Sequence, residues 1–171
     1  MTRLLSLSRW KATVPAVGAV LAAMSAMSIG GERPALALIN ESPSLARGVY
    51  LRTGEGVSPG AVVAAPQPEV ARPYLAGLGM PGEVLLLKRV AAVGGDRVCD
   101  GGGAVFTPGR RAPRLERDRR GAVLPAWREC RLLASDEIFL LGDTPGSFDS
   151  RYFGPVRRSH VVGVYREVLT W

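Results

Sequence analysis

The β-prone segments of this 171-residue chain are short, and clusters of Gly, Pro and Asp separate them. Beyond residue 31 the sequence contains no long amphipathic helical pattern and no internal repeat. With 21 Gly and 13 Pro, the chain is interrupted too often for long regular elements. The sequence therefore predicts a mainly β fold, with strands near 49–52, 84–93, 105–106, 138–141 and 161–169.

One apolar segment, 12–31, carries no charged residue and is long enough to span a bilayer as a helix. Basic residues precede it, so the positive-inside rule predicts a cytoplasmic segment 1–11 and an exported domain 32–171. Residues 35–37, Ala-Leu-Ala, also fit the small-x-small pattern of a signal-peptide cleavage site. We predict a retained transmembrane anchor, with a cleaved signal segment and a soluble exported form as the alternative.

Arginine supplies nearly all of the positive charge. The chain has 22 Lys plus Arg and a net charge of +7, yet Lys11 and Lys88 are its lysines. Lys88 lies in the apolar run 84–93, where desolvation lowers the pKa of an amine. Moving the pKa of a lysine from about 10.4 to roughly 7 or 8 is within what burial provides. Lys88 is therefore a candidate general base, the alternative being a lysine whose ammonium reaches solvent from a strand end.

Two serines, Ser42 and Ser44, flank a proline just before the predicted strand 49–52. A serine hydroxyl becomes a good nucleophile only beside a base that removes its proton. The only histidine, His160, lies near the far end of the chain in a predicted surface loop. A Ser/Lys dyad therefore fits this sequence better than a Ser/His/Asp triad, although Ser-Pro-Ser is also ordinary turn chemistry.

A loop rich in hydroxyls and carboxylates follows the predicted strand 138–141. Residues 142–151 read Gly-Asp-Thr-Pro-Gly-Ser-Phe-Asp-Ser-Arg, a composition typical of a functional loop on a rigid scaffold. In chain order, the serine segment, the lysine strand and this loop resemble the type I signal peptidases. The resemblance is strongest to their TraF-type branch, the conjugative-transfer signal peptidases, and it covers about residues 38–171.

The resemblance assigns roles to individual residues. Ser44 falls on the nucleophile of the family and Lys88 on its base. Ser42, together with the backbone N–H of Ser44, falls on the oxyanion hole. Ser147 falls on the hydroxyl that orients the lysine amine. The remaining matched residues are structural groups near the site: Asp143, Asp149 and Arg151.

The resemblance also implies a fold, a reaction and a location. It implies a coiled antiparallel β-fold with an N-terminal transmembrane or signal helix, and cleavage through an acyl-enzyme without metal or cofactor. The implied substrate is a membrane-tethered precursor such as pilin, processed at the inner membrane by a domain in the periplasm, with cyclisation of the pilin as one outcome. From its composition, the stretch 54–82, rich in Pro, Gly and Ala, is expected to be an irregular connection that passes near the site.

Two alternatives to an active signal peptidase stay open. One is a catalytically inactive pilus-assembly factor of the same fold, because Ala46 and Gly94 stand where the family commonly has proline. The other is a self-cleaving protein of the LexA type, which uses the same dyad. That class requires an N-terminal DNA-binding domain where this chain has the apolar segment 12–31.

Most of the arginine excess lies between residues 109 and 130. Trp127 is the only aromatic residue among these arginines, so we expect a solvated hairpin that extends from the main fold and no nucleic-acid partner. Contact with anionic lipid headgroups is the alternative.

Cys99 and Cys130 bracket this region. In an oxidising compartment they predict a disulfide that stabilises the fold by roughly 3.5 kcal/mol. Two buried thiols are the alternative.

Overall fold

The computed structural model describes residues 34–171, and residues 35–171 form one compact unit. The predicted segments 1–11 and 12–31 lie outside the described residues. Within 34–171, no helix is both long enough and apolar enough to cross a membrane. The regular elements of this part are β1 (Ala37–Asn40), β2 (Gly48–Thr53), β3 (Val62–Ala65), α1 (Arg72–Gly77), β4 (Leu86–Val93), β5 (Arg97–Gly101), β6 (Ala104–Thr107), β7 (Arg110–Pro113), β8 (Cys130–Leu132), β9 (Glu137–Leu141), α2 (Ser150–Phe153), β10 (Val156–Arg157) and β11 (Gly163–Thr170), with short 3₁₀ turns at Glu69–Ala71 and Arg158–His160.

The larger sheet has seven strands in the order β1-β2-β11-β3-β4-β9-β10. Every neighbouring pair in it is antiparallel. The prediction of a mainly β, antiparallel fold is therefore confirmed. Each predicted strand overlaps an observed one, because the β-branched and leucine-rich runs suit a pleated, half-buried surface.

The two strands at the centre of this sheet, β3 and β4, are apolar on both faces. Val63 and Val90 pack in one buried cluster, while Ala64 and Leu87 pack in another on the opposite face. Side chains alternate between faces along a strand, so Lys88 lies on the same face as Leu86 and Val90. This position explains how a lysine comes to be desolvated.

The prediction of an irregular connection over 54–82 is wrong in part. This stretch contains β3, whose four residues are all buried, and the helix α1. Strand β3 pairs directly with the lysine strand, with Val63 opposite Lys88. The stretch does pass beside the candidate site, because Tyr74, Leu75 and Leu78 line the same cavity as Lys88.

The smaller sheet has four strands in the order β7-β6-β5-β8. Val98, Val105 and Trp127 from this region share a buried cluster with Phe139 and Leu141 of the larger sheet. Cys99 and Cys130 face each other across β5 and β8 and form a disulfide.

The expectation of a solvated hairpin between residues 109 and 130 holds for only some of the arginines. Arg111, Arg119 and Arg120 are exposed. The side chain of Arg114 is only 8% exposed and lies 2.9 Å from Asp100 in an ion pair. The region is therefore a packed extension of the fold with a charged outer surface.

Candidate active site

The loop between β1 and β2 carries Ser42 and Ser44, and hydrogen bonds of the Asn40 side chain hold this loop in place. The Asn40 side-chain amide donates hydrogen bonds to the carbonyl oxygens of Ser42 (3.0 Å), Leu45 (3.3 Å) and Ala46 (2.8 Å). Its Oδ1 accepts from the backbone N–H of Ser42 at 3.1 Å. Asn and Asp form such local turns readily, so Asn40 fixes the backbone that presents the serines.

The structure brings Ser44 and Lys88 together. Lys88 Nζ lies 2.9 Å from Ser44 Oγ, and the two residues are 5% and 4% exposed. Burial lowers the pKa of the Lys88 amine to about 8, although the charge of Asp149 works in the opposite direction. A neutral amine at hydrogen-bond distance from a serine hydroxyl can remove its proton.

Ser42 lies directly beside Ser44. The Ser42 hydroxyl is 3.0 Å from Ser44 Oγ, and the Ser44 backbone N–H donates to Ser42 Oγ at 3.3 Å. The two groups that the resemblance places in the oxyanion hole are therefore adjacent to the candidate nucleophile. In this structure the two donors are engaged between the serines themselves, so each would have to exchange that hydrogen bond for one to an oxyanion formed on a carbonyl attacked by Ser44.

Ser147 lines the same cavity as Ser44 and Lys88. It is 3% exposed, and its hydroxyl has no hydrogen-bond partner among the described residues. The hydrogen bond to the Lys88 amine that the resemblance implies is thus not formed in this structure. His160 is exposed and does not contribute to the cavity wall.

Gly142 allows the loop carrying Ser147 to approach the serine loop closely. A Cβ atom at Gly142 would lie 2.2 Å from Ser147 Oγ and 2.8 Å from the carbonyl oxygen of Ser44. Both distances are well inside van der Waals contact, and the second involves backbone that cannot rotate away. Only glycine fits at this crossing without displacing one of the two serine segments.

A buried ion pair between Asp149 and Arg151 holds the loop 142–151 together. The Asp149 carboxylate and the Arg151 guanidinium lie 2.8 Å apart and are almost completely buried. Asp149 also accepts from the Gly142 backbone N–H at 2.8 Å. Arg151 donates to several backbone carbonyl oxygens, those of Pro113, Thr144, Pro145 and Ser147. A buried charge needs this degree of hydrogen bonding, and here it fixes the backbone of the loop.

Asp143 connects the same loop to the serine segment. Its backbone N–H donates to the Ser44 carbonyl oxygen at 2.7 Å. Its carboxylate lies 2.9 Å from Arg89 in a half-exposed ion pair, and the hydrogen bond from Arg89 lowers the pKa of Asp143. The Thr144 hydroxyl donates to the carbonyl oxygen of Pro43 at 3.1 Å, which adds a second link.

An apolar cavity of about 630 Å³ opens beside Ser44 and Lys88. One wall is formed by Leu38 and Ile39 of β1, and another by residues 84–87, which include the first two residues of β4. The polar groups of Ser42, Ser44, Lys88 and Ser147 gather along the lining of this cleft. Among residues 34–171, no group of three His, Cys, Asp or Glu side chains could hold a metal ion.

This chain has a serine and a desolvated lysine beside an apolar cleft, on an antiparallel β scaffold. It is similar to known proteins. Residues 7–171 match the family described as signal peptidase, peptidase S26, and the chain belongs to that family. It is 34% identical over 167 residues to the plasmid transfer protein TraF of Escherichia coli, covering 90% of this chain and 92% of that protein. A second Escherichia coli plasmid transfer protein TraF is 32% identical over 170 residues, covering 91% and 96%. The resemblance to TraF-type signal peptidases is confirmed.

The sequence interpretation missed Asn40, and it included Gly142 in the loop 142–151 without giving it a role of its own. Asn40 stands two residues before Ser42, a spacing typical of an Asx turn, and this signal could have identified it. Gly142 lies directly after an apolar strand, where a glycine indicates a close backbone approach. Neither residue performs chemistry, but each fixes the backbone of a loop that does.

Proposed function

We propose that this protein is a membrane-associated serine endopeptidase of the signal-peptidase type, acting through a Ser44/Lys88 dyad. The observation that carries the proposal is the 2.9 Å contact between Lys88 Nζ and Ser44 Oγ in a buried setting. A pKa of about 8 for Lys88 supports it, because a substantial fraction of the amine is then neutral near physiological pH.

In the first step, neutral Lys88 takes the proton of the Ser44 hydroxyl, and the oxygen attacks the scissile carbonyl. The Ser42 hydroxyl and the Ser44 backbone N–H donate hydrogen bonds to the oxyanion of the tetrahedral intermediate. The protonated Lys88 then gives its proton to the leaving amine, which leaves an acyl-enzyme on Ser44.

In the second step, Lys88 is again the base. It takes a proton from water, the hydroxide attacks the ester carbonyl of the acyl-enzyme, and the proton returns to Ser44 as the acid product leaves. An amine of the substrate itself could replace water in this step. The product would then be a cyclic polypeptide instead of a free acid.

The substrate class follows from the family and from the names of the relatives. We propose a membrane-tethered precursor with small residues before the cut, and conjugative pilin in particular, because the two relatives are named plasmid transfer proteins. The apolar lining of the cavity beside Ser44 suits apolar side chains. The proposal places the enzyme at the bacterial inner membrane with residues 32–171 in the periplasm, in a form that keeps its N-terminal segment or has lost it.

The test is the processing of a co-expressed, membrane-bound pilin precursor, followed by intact mass. Ser44→Ala and Lys88→Arg should each lower processing by about 10³-fold or more, because the first removes the nucleophile and the second keeps the charge but cannot act as a base. Ser42→Ala should lower it by about 10²-fold, the effect of losing one oxyanion donor. Ser58→Ala, at an exposed serine away from the cavity, is the matched control.

The outcomes separate the proposal from its alternatives. Loss of processing in the two dyad variants, with the control unaffected, supports a Ser/Lys peptidase. A processed product lighter by one water than the hydrolysed form identifies cyclisation. Equal processing by all the variants would refute the Ser44/Lys88 dyad. An inactive assembly factor would then describe this protein better.

A further inference from the structure

A second groove, of about 540 Å³, adjoins the cavity that contains Ser44 and Lys88. Neither depression is enclosed, and the two share part of their lining. Residues that line both are the wall between them: Pro43, Tyr74, Leu78, Gly146, Ser147 and Phe148.

The two grooves differ in chemistry. The cavity beside the dyad is lined mainly by aliphatic side chains of β1 and of the segment 84–87. The second groove is lined by Arg119 and Arg120, both exposed, together with the aliphatic side chains of Leu115 and Leu124 and several aromatic rings. This lining suits a ligand that combines an anionic group with an apolar part.

The two guanidinium groups are available to a ligand. Asp118 is the one carboxylate among the described residues that line the groove, and the charge of Arg120 lies near enough to act on it, but both of its oxygens accept hydrogen bonds from other groups. Its Oδ2 accepts from the Tyr74 hydroxyl at 3.1 Å, and its Oδ1 accepts from the backbone N–H groups of Arg120 and Ala122 at 2.9 Å. In the part of the chain from 34 to 171, no ion pair includes Arg119 or Arg120.

We propose that Arg119 and Arg120 bind a carboxylate of the substrate, in the segment that follows the cut. This inference rests on the proposed function, in which small apolar residues before the cut occupy the cavity beside the dyad. The polypeptide on the other side of the scissile bond then enters the second groove. Arginine pairs with carboxylates through two parallel hydrogen bonds, and Leu115 and Leu124 would contact the methylenes of a glutamate.

The carboxylate has two sources, a side chain or the end of a short leaving segment. Both present the same group to Arg119 and Arg120, so the experiment must separate them. Synthetic peptides with Ala-x-Ala before the cut would carry either Glu or Gln at each of the first few positions after it. A parallel set would end in a free carboxylate or in an amide.

Binding and cleavage are measured separately. Binding of each peptide to full-chain Ser44→Ala protein in detergent is followed by fluorescence anisotropy, and cleavage by the protein with Ser44 intact is followed by mass spectrometry. Both the binding and the cleavage measurement are repeated with the double variant Arg119→Gln/Arg120→Gln and with the single variant Arg128→Gln. Arg128 is an exposed arginine of the same region that does not line the groove.

We expect a preference of about three- to tenfold for one carboxylate peptide over its neutral counterpart, the size that one or two exposed charge pairs provide. The preference should disappear in the double variant and persist in Arg128→Gln. Equal handling of the charged and neutral peptides, or a preference that survives the double variant, would overturn the inference while leaving the peptidase intact. A binding preference without any cleavage would instead refute the proposed function and retain the carboxylate site.

Discussion

The two sheets of this protein are stabilised in different ways. The seven-stranded sheet is built from apolar runs, and its central strands are buried on both faces. The four-stranded sheet has short strands, many arginines, a disulfide between Cys99 and Cys130 and a buried ion pair between Arg114 and Asp100. Hydrophobic burial dominates in the first, while covalent and charged links supplement a smaller core in the second.

The sheets also contribute differently to the candidate site. Ser44 and Lys88 belong to the larger sheet and its loops, whereas the smaller sheet, which packs on β9, reaches the candidate site through the loop 142–151. From the smaller sheet, Arg110 donates to the Gly142 carbonyl oxygen at 2.9 Å, and Pro113 accepts a hydrogen bond from Arg151. The comparison indicates that one sheet carries the chemistry and the other supports a loop beside it.

The largest expected effect comes from breaking the buried ion pair of that loop. Arg151→Met leaves the Asp149 carboxylate buried without its partner, which should lower the free energy of unfolding by about 3 to 5 kcal/mol. Urea denaturation measures this change. Arg157→Met, which breaks the exposed pair with Asp136, is the control and should cost less than about 1 kcal/mol. Equal losses in the two variants would contradict a special role for the buried pair.

Removing the disulfide tests the smaller sheet by itself. Cys99→Ser/Cys130→Ser opens a loop with a sequence separation of 31 and should lower the free energy of unfolding by about 3.5 kcal/mol. Peptidase activity, measured well below the unfolding temperature, should be largely retained because the dyad lies on the other sheet. A folded variant without activity would show that the smaller sheet controls the dyad directly.

The close approach of Gly142 to Ser147 and to the Ser44 backbone can be tested by adding one methyl group. Gly142→Ala should lower the free energy of unfolding by about 1 to 3 kcal/mol and reduce kcat, since the new methyl group must displace Ser147 or the backbone of Ser44. Thermal unfolding and peptide cleavage report the two effects. Gly56→Ala, at a position with open space around its Cβ and outside both the cavity and the second groove, is the control. A Gly142→Ala protein that behaves like the control would refute the steric argument.

The smallest effect is the pH dependence of the dyad. Lys88 must be neutral to act as a base, and with a pKa of about 8 it loses its proton as the pH rises through that value. The value of kcat/KM should therefore rise about tenfold per pH unit below 8, or about 1.4 kcal/mol per unit, and level off above it. A flat profile between pH 6 and 8 would mean that another group is the base.

The strands that the sequence predicted are those with long apolar or β-branched runs, such as β4 and β9. The strands that it missed, which are β1, β3, β5, β7, β8 and β10, are between two and five residues long, and β3 contains two alanines. Short segments of this kind gain their structure from pairing with neighbours, for example β3 with β4 and β11. Local sequence carries little of that information.

The candidate site was predictable to the extent that its residues have unusual chemistry. Lys88 stands out because arginine replaces lysine nearly everywhere else, and Ser44 because a base needs a nucleophile. The ring of hydrogen bonds around Asn40 and the close approach at Gly142 depend on how separate loops meet in space. The unpaired hydroxyl of Ser147 likewise follows from three-dimensional packing and from nothing in its own segment.

The arginine-rich composition has a practical consequence for Lys88. It is the only lysine in residues 34–171, so the described domain contains a single side-chain amine. Reductive methylation with a carbon-13 label would give one side-chain resonance for this domain, and its chemical shift would follow the protonation of that amine directly. An acylating reagent that reaches the cavity would likewise modify the domain at one side-chain amine, so that covalent labelling and loss of activity could be counted against each other molecule for molecule.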